Sequence, residues 1–129
     1  MEKWLGKYSS FFYALLRFVA GVLFACHGAQ KLFGAFGGQK QAETLFLVAG
    51  TIEFFGGVLI AIGLLAGYAA FIASGQMAVA YFMQHYPKAF WPILNGGEPA
   101  VLYCFIFLYI ASVGSGALSV DALIAKSRR

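Results

Sequence analysis

Glu53 stands alone as a charged residue within the apolar run from Leu45 to Leu65. An ionised side chain at the centre of a membrane span costs about 2.5 to 3.5 kcal/mol, so its presence points to a function or to a paired partner. It falls roughly 12 Å below the outer end of its segment at about 1.5 Å per residue, too deep for a short side chain to reach the headgroups. His27 and Lys31 lie at a similar outer depth in the preceding apolar run, one turn apart at i, i+4, and Glu53 can reach either. Arg17 lies about 15 Å farther along that run, towards the inner half of the membrane, where its long side chain either pairs inside or extends to the inner headgroups.

A second set of polar groups gathers near the other outer connection. Ser74, Met77, Tyr81 and Gln84 form a helical stripe, His85 sits at its end, and Asn95 and Glu98 follow in the loop. Two histidines and two carboxylates near one level invite a metal, but no H-x-x-x-H or comparable spacing fixes ligands on one helix, so no metal site is expected. Nothing sets the separation of His27 and His85 as axial ligands, so haem is not expected either. Cys26 and Cys104 fall in different segments without the C-x-x-C spacing of a membrane dithiol oxidoreductase, and read as small buried apolar residues.

The elements that must position these groups follow from composition. With 61% apolar and 11% charged residues, the chain has too little polar surface for a soluble domain of this size. Four apolar segments, about 10–33, 45–65, 67–86 and 99–119, each approach the roughly 20 residues that a helix needs to cross a bilayer. They lack period-2 alternation, and a backbone in lipid must satisfy its own hydrogen bonds, so helices are expected rather than strands. Glycines 34, 37 and 38, the Ala66-Gly67 step, and Pro87, Pro92 and Asn95-Gly96-Gly97 punctuate the segments. The reading is a single all-α domain, an integral membrane four-helix bundle. Arg17 within the first run and the lack of a small-residue cleavage site argue against a cleaved signal peptide.

Lys3, Lys7, Lys126, Arg128 and Arg129 outnumber Lys31, Lys40 and Lys88 on the opposite side, which places both termini in the cytoplasm. The basic residues lack aromatic interleaving, so nucleic acid is not an expected partner. On the second helix Ala49, Glu53, Gly56, Ile60, Gly63 and Gly67 follow one face of nearly all small residues, which would turn Glu53 towards neighbouring helices. Gly-rich faces on the second and fourth helices also allow homo-oligomers.

The order of several blocks resembles a known family. His27-Gly28-Ala29-Gln30-Lys31-Leu32-Phe33-Gly34 after a helix carrying Arg17, then Glu53-Phe54-Phe55-Gly56-Gly57, then Met77 followed by His85, are similar to the opening and middle of the DoxX family of small membrane proteins. Asn95-Gly96-Gly97-Glu98 before Leu102-Tyr103, and Gly114 to Asp121, resemble its later blocks, so nearly the whole chain is covered. The resemblance implies a four-helix protein of the bacterial cytoplasmic (inner) membrane. Relatives include the DoxD-type subunit of a thiosulfate:quinone oxidoreductase and membrane partners of redox-stress enzymes.

Two classes of function follow. In the first, the chain is a quinone-linked oxidoreductase component: Arg17, Lys31, Asn95 and Tyr103 touch the quinone, while Glu53, His27, His85 and Glu98 move protons. A carboxylate in lipid-like surroundings beside a histidine suits such a relay. With no dithiol, nucleotide fingerprint or haem ligand pair, electrons would have to come from a redox or respiratory protein partner. In the second, the chain is a non-catalytic subunit that anchors or assembles a larger membrane complex, and its polar cluster fixes helix packing. A solute or proton carrier fits less well, because inverted repeats and broken helices are not evident.

Overall fold

The computed structural model describes residues 1–128; Arg129, counted above among the terminal basic residues, lies outside them. Every regular element among the described residues is helical: α1 (Glu2–Leu5), α2 (Ser9–Phe33), α3 (Thr44–Ile62), α4 (Ala66–Ala80), α5 (Pro92–Asn95), α6 (Glu98–Val113) and α7 (Val120–Ser127). A 3-10 turn, Gly6–Tyr8, joins α1 to α2, and a π-helical turn, Tyr81–His85, extends α4. Among the described residues two stretches are long and apolar enough to cross a membrane, Glu2–Phe33 and Thr44–Ile62.

Left-handed glycines end the first two long helices. Gly34 closes α2 and Gly63 closes α3, their N–H groups returning to carbonyls of the last turn. The turn into α4 is therefore Gly63-Leu64-Leu65, and the Ala66-Gly67 step expected to make it is already helical. Leu65 takes φ +51°, unusual for a residue with a Cβ, and its N–H donates to Asp121 Oδ2 at 2.8 Å, which holds the turn. The fourth long helix stops at Val113, where the sequence pattern carried it to Ser119, because Gly114 and Gly116 adopt φ +89° and +81°. After that break Ser119 caps α7, its hydroxyl accepting from Ala122 N at 3.1 Å.

α2 packs along α3, α3 against α4, and α4 along α6. The α2–α3 seam is a backbone contact: a Cβ on Gly57 would lie 2.5 Å from the Ala25 nitrogen and the Gly21 carbonyl oxygen. The small face of α3 is thus centred on Gly50 and Gly57, whereas Gly56, expected on it, has open space beside it. Glu53 still points inward because it lies between Gly50 and Gly57 on that face. Alanines 66, 69, 70 and 73 give α4 a similarly flat face. By contrast the α2 and α6 backbones hardly approach each other, and Phe24 bridges the gap with its ring 4.7 Å from Phe107 and 5.6 Å from Tyr103.

The exterior is apolar. Phe18, Phe55, Phe71, Leu102 and Phe105 all face outward on the long helices. A surface of this kind is stable in hydrocarbon and would aggregate in water.

Candidate functional site

Where α2, α3 and α4 converge, Glu53 is 1% exposed. Lys31 Nζ, in the last turn of α2, donates to Glu53 Oε1 at 2.6 Å and to Oε2 at 2.8 Å. Gln76 Nε2, on α4, donates to Oε2 at 3.2 Å. Three helices thus meet on one carboxylate, and its charge is compensated within hydrogen-bonding distance. His27, one turn before Lys31, makes no hydrogen bond to Glu53 and instead sets its ring edge-on to Tyr103, 6.1 Å between centroids. Of the two expected partners, the lysine is the one that pairs.

This cluster forms part of the wall of a cavity of about 420 Å³ between α2, α3, α4 and α6. Apolar side chains such as Phe24, Val48, Ile72 and Met83 make up most of the lining, and His27, Lys31, Glu53, Gln76, Gln84, His85 and Tyr103 supply its polar groups. Such a mix, largely apolar with a few placed polar groups, suits a small-molecule site. Tyr103 is held by stacking on Phe107, centroids 5.5 Å apart at 17°, and its hydroxyl has no hydrogen-bond partner among the described residues.

His85 sits on the π-helical turn with Nδ1 at 3.2 Å from the Asn95 carbonyl oxygen. A carbonyl only accepts, so Nδ1 is the donating nitrogen in this contact and Nε2 is left without a hydrogen-bond partner among the described residues. Asn95 is 3% exposed and organises the loop behind His85. Its amide donates to Ala89 O at 2.9 Å and to the Tyr81 hydroxyl at 3.1 Å, and its Oδ1 accepts from Gly97 N at 2.7 Å.

Of the residues expected to form the site, the cavity unites Glu53, His27, His85, Lys31 and Tyr103; Arg17, Asn95 and Glu98 do not line it. Glu98 is exposed in the first turn of α6, where a negative charge favours the helix N-terminus. Arg17 is 3% exposed near the other ends of α3 and α6. Its Nε donates to Ile60 O at 2.9 Å, Nη2 to Leu118 O at 2.7 Å and Nη1 to Ser115 O. The guanidinium therefore satisfies carbonyls released where α3 ends and where the chain leaves α6, and Asp121 Oδ2 completes the junction by accepting from Ser115 Oγ at 2.7 Å.

Gln76 is the site residue that the sequence reading omits. Its signal is a weaker form of the one that marks Glu53, a polar side chain deep in an apolar run. Cys26 and Cys104 are free thiols, and among the described residues no three His, Cys, Asp or Glu side chains gather closely enough to hold a metal ion.

An apolar exterior, helices of membrane-crossing length and a charge pair sequestered among them define a small helical membrane protein. The DoxX family model matches residues 12–86, more than half of the sequence, and the chain belongs to the DoxX family. That region runs from α2 through the π-helical turn, so it contains Lys31, Glu53, Gln76 and His85, while Tyr103 lies beyond it. A protein of Haemophilus influenzae described as uncharacterized is 41% identical over 125 residues, which cover 91% of this chain and 93% of that protein. No solved structure matches the chain significantly.

Proposed function

We propose that this DoxX-family protein is a multi-pass component of the bacterial cytoplasmic membrane whose cavity binds a quinone ring, acting as the membrane part of an oxidoreductase that draws electrons from a protein partner. In this reading α2, α3, α4 with its π-helical turn, and α6 cross the bilayer as a four-helix bundle. Residues 66–85 extend about 30 Å at about 1.5 Å per residue, the thickness of the hydrocarbon core. The 16 residues of α6 reach about 24 Å, and the non-helical backbone that follows is tolerable at the membrane boundary because Arg17 donates to the Ser115 and Leu118 carbonyls and the Ser119 hydroxyl to the Gly116 carbonyl. Basic residues at both ends of the chain support cytoplasmic termini.

The observation that carries the proposal is the character of the cavity: mostly apolar walls, a lysine–glutamate pair closed on itself, and uncommitted groups on Tyr103, His27 and His85. Such walls favour a flat, neutral, lipid-soluble ligand over an anion or a cation. A bound quinone would supply the two-electron, two-proton chemistry. Lys31 and the Tyr103 hydroxyl can donate to a ring carbonyl, and Nε2 of His85 can accept a proton and exchange it towards the outer face.

A second reading, a non-catalytic anchoring subunit, is favoured by the way Glu53 ties α2, α3 and α4 together. The two separate in one experiment. The protein is purified from its native membrane in mild detergent, co-purifying quinones and proteins are analysed by mass spectrometry, and quinone-dependent turnover of the complex is compared for wild type, His27→Ala and Glu53→Gln. The oxidoreductase reading expects a bound quinone and variants that assemble but lose turnover. Assembly lost in the variants, with no quinone in the wild type, supports the anchoring reading.

A further inference from the structure

The cavity wall occupies the parts of α3 and α4 farthest from the turn that joins them. It starts at Glu53 on α3 and at Ile72 on α4 and runs away from Gly63-Leu64-Leu65. Leu45, Val48, Ile72, Val79 and Met83 line it, and each is more than half exposed. A side chain that lines an internal space yet keeps over half its surface free stands at the rim of an opening. Ile72, Gly75 and Val79 recur at the spacing of one helical face, as do Leu45, Val48 and Ile52 on α3. These two faces are the edges of a slit that runs about 16 Å along α4 from Ile72 to Met83, at about 1.5 Å per residue.

Gly75 widens the slit. A Cβ built there has nothing within 4 Å, so no neighbouring helix requires a glycine, in contrast to Gly57 at the α2–α3 seam. A glycine inside a helix costs about 1 kcal/mol relative to alanine, and what it provides here is room at the rim, one residue from the Gln76 that reaches Glu53. The rim is apolar, and Phe55 and Phe71 face outward next to it on the same two helices. Hydrocarbon matches such a rim and water does not. Lys31, Glu53 and Tyr103, by contrast, lie in the more buried part of the wall, so the cavity is polar within and apolar where it opens between α3 and α4.

We propose that the cavity opens sideways into the bilayer between α3 and α4 and takes a membrane-borne ring with a long apolar tail, the ring lying near Lys31 and Tyr103 and the tail leaving through the slit. This inference rests on the cavity being the quinone site and names the class of quinone, one anchored in the bilayer that enters and leaves without crossing water. Slit and hydrocarbon are equally apolar, so the tail gains little by exchanging one for the other. The position of the tail, rather than the affinity it adds, is what identifies the route.

The test uses the full-length protein in lipid nanodiscs and a benzoquinone whose isoprenoid tail carries a diazirine, irradiated with and without excess tail-free benzoquinone, with adducts mapped by peptide mass spectrometry. Competable adducts on α3 from Leu45 to Ile52 and on α4 from Ile72 to Met83 are expected. Competable adducts confined to the connections at residues 34–43 and 86–97 would overturn the inference while leaving the quinone site in place, because the tail would then leave past Gln84 and His85 at the end of the cavity. The absence of any competable adduct would overturn the quinone site and this inference with it. Gly75→Trp, which fills the slit, should weaken the tailed ring about tenfold more than the tail-free ring, the size expected of a modest steric clash. An equal loss for both rings would count against the slit as the route, and the wild-type adducts decide the question if Gly75→Trp does not assemble.

Discussion

Replacing Lys31 with methionine should destabilise the protein more than replacing its partner does, and the reason lies in an asymmetry of burial. The Glu53 side chain is 2% exposed, whereas that of Lys31 is 28% exposed. In Lys31→Met the carboxylate keeps the single hydrogen bond from Gln76 and loses its counter-charge in a place water does not reach. Removing one member of a buried pair costs about 3 to 5 kcal/mol, most of it the penalty of the stranded charge. In Glu53→Gln the stranded group is an ammonium on a flexible stem near the end of α2, free to turn outward, so the loss is closer to the ~1 kcal/mol of a solvated pair. Lys31→Met should therefore cost about 2 to 4 kcal/mol more than Glu53→Gln, and the double variant should recover most of that difference. The assay is reversible unfolding in mixed micelles by titrated dodecyl sulfate, followed by fluorescence of Trp4 and Trp91, with all four members of the double-mutant cycle. Equal costs for the two single variants, or strict additivity in the double variant, would refute the asymmetric buried pair.

Other perturbations probe other parts of the structure. At the α2–α3 seam, Gly57→Val should cost more than about 3 kcal/mol or abolish a monodisperse peak in detergent chromatography, because the new side chain meets backbone; Gly56→Ala, next to open space, should change stability by less than about 0.5 kcal/mol. Arg17→Met leaves the Ser115 and Leu118 carbonyls without their donor, while Ile60 O keeps the Gly63 N–H, and should cost about 3 kcal/mol, with faster hydrogen exchange in residues 114–119; ligand affinity at the cavity should stay within twofold in the variant that remains assembled. Tyr103→Phe keeps the stack on Phe107 and removes only the hydroxyl, so it should weaken quinone binding severalfold in a nanodisc titration while stability changes by less than about 0.5 kcal/mol.

The helical character is legible in the sequence because lipid makes one demand everywhere, that the backbone satisfy itself, and apolar runs follow from it. Glu53 is legible for the same reason, as the exception within a run. Its pairing is only half legible: depth narrows the partner to His27 or Lys31, but the choice depends on rotation about the α2 axis, which close contact at Gly21 and Gly57 sets. Sequence spacing places that contact one residue away, at Gly56, since an approximate period leaves adjacent glycines indistinguishable. Arg17 shows another limit. A buried guanidinium in an apolar helix reads as a ligand-binding group, and its three carbonyl acceptors are invisible until the breaks at Gly63 and Gly114 bring distant segments together. Gln76 is overlooked because an uncharged amide incurs less cost in an apolar run than a carboxylate does, so it stands out less.

Photo-crosslinking most directly tests whether the cavity is the quinone site. The full-length protein in native-like lipid is irradiated with an azido-quinone, with and without excess unlabelled quinone, and the adducts are mapped by peptide mass spectrometry. Competable adducts on the cavity-facing parts of α2 around His27 to Lys31, of α4 and its π-helical turn from Gln76 to His85, and of α6 near Tyr103 are the expected result. Adducts confined to outward-facing residues such as Phe18, Phe71 and Phe105, unaffected by competitor, would contradict it.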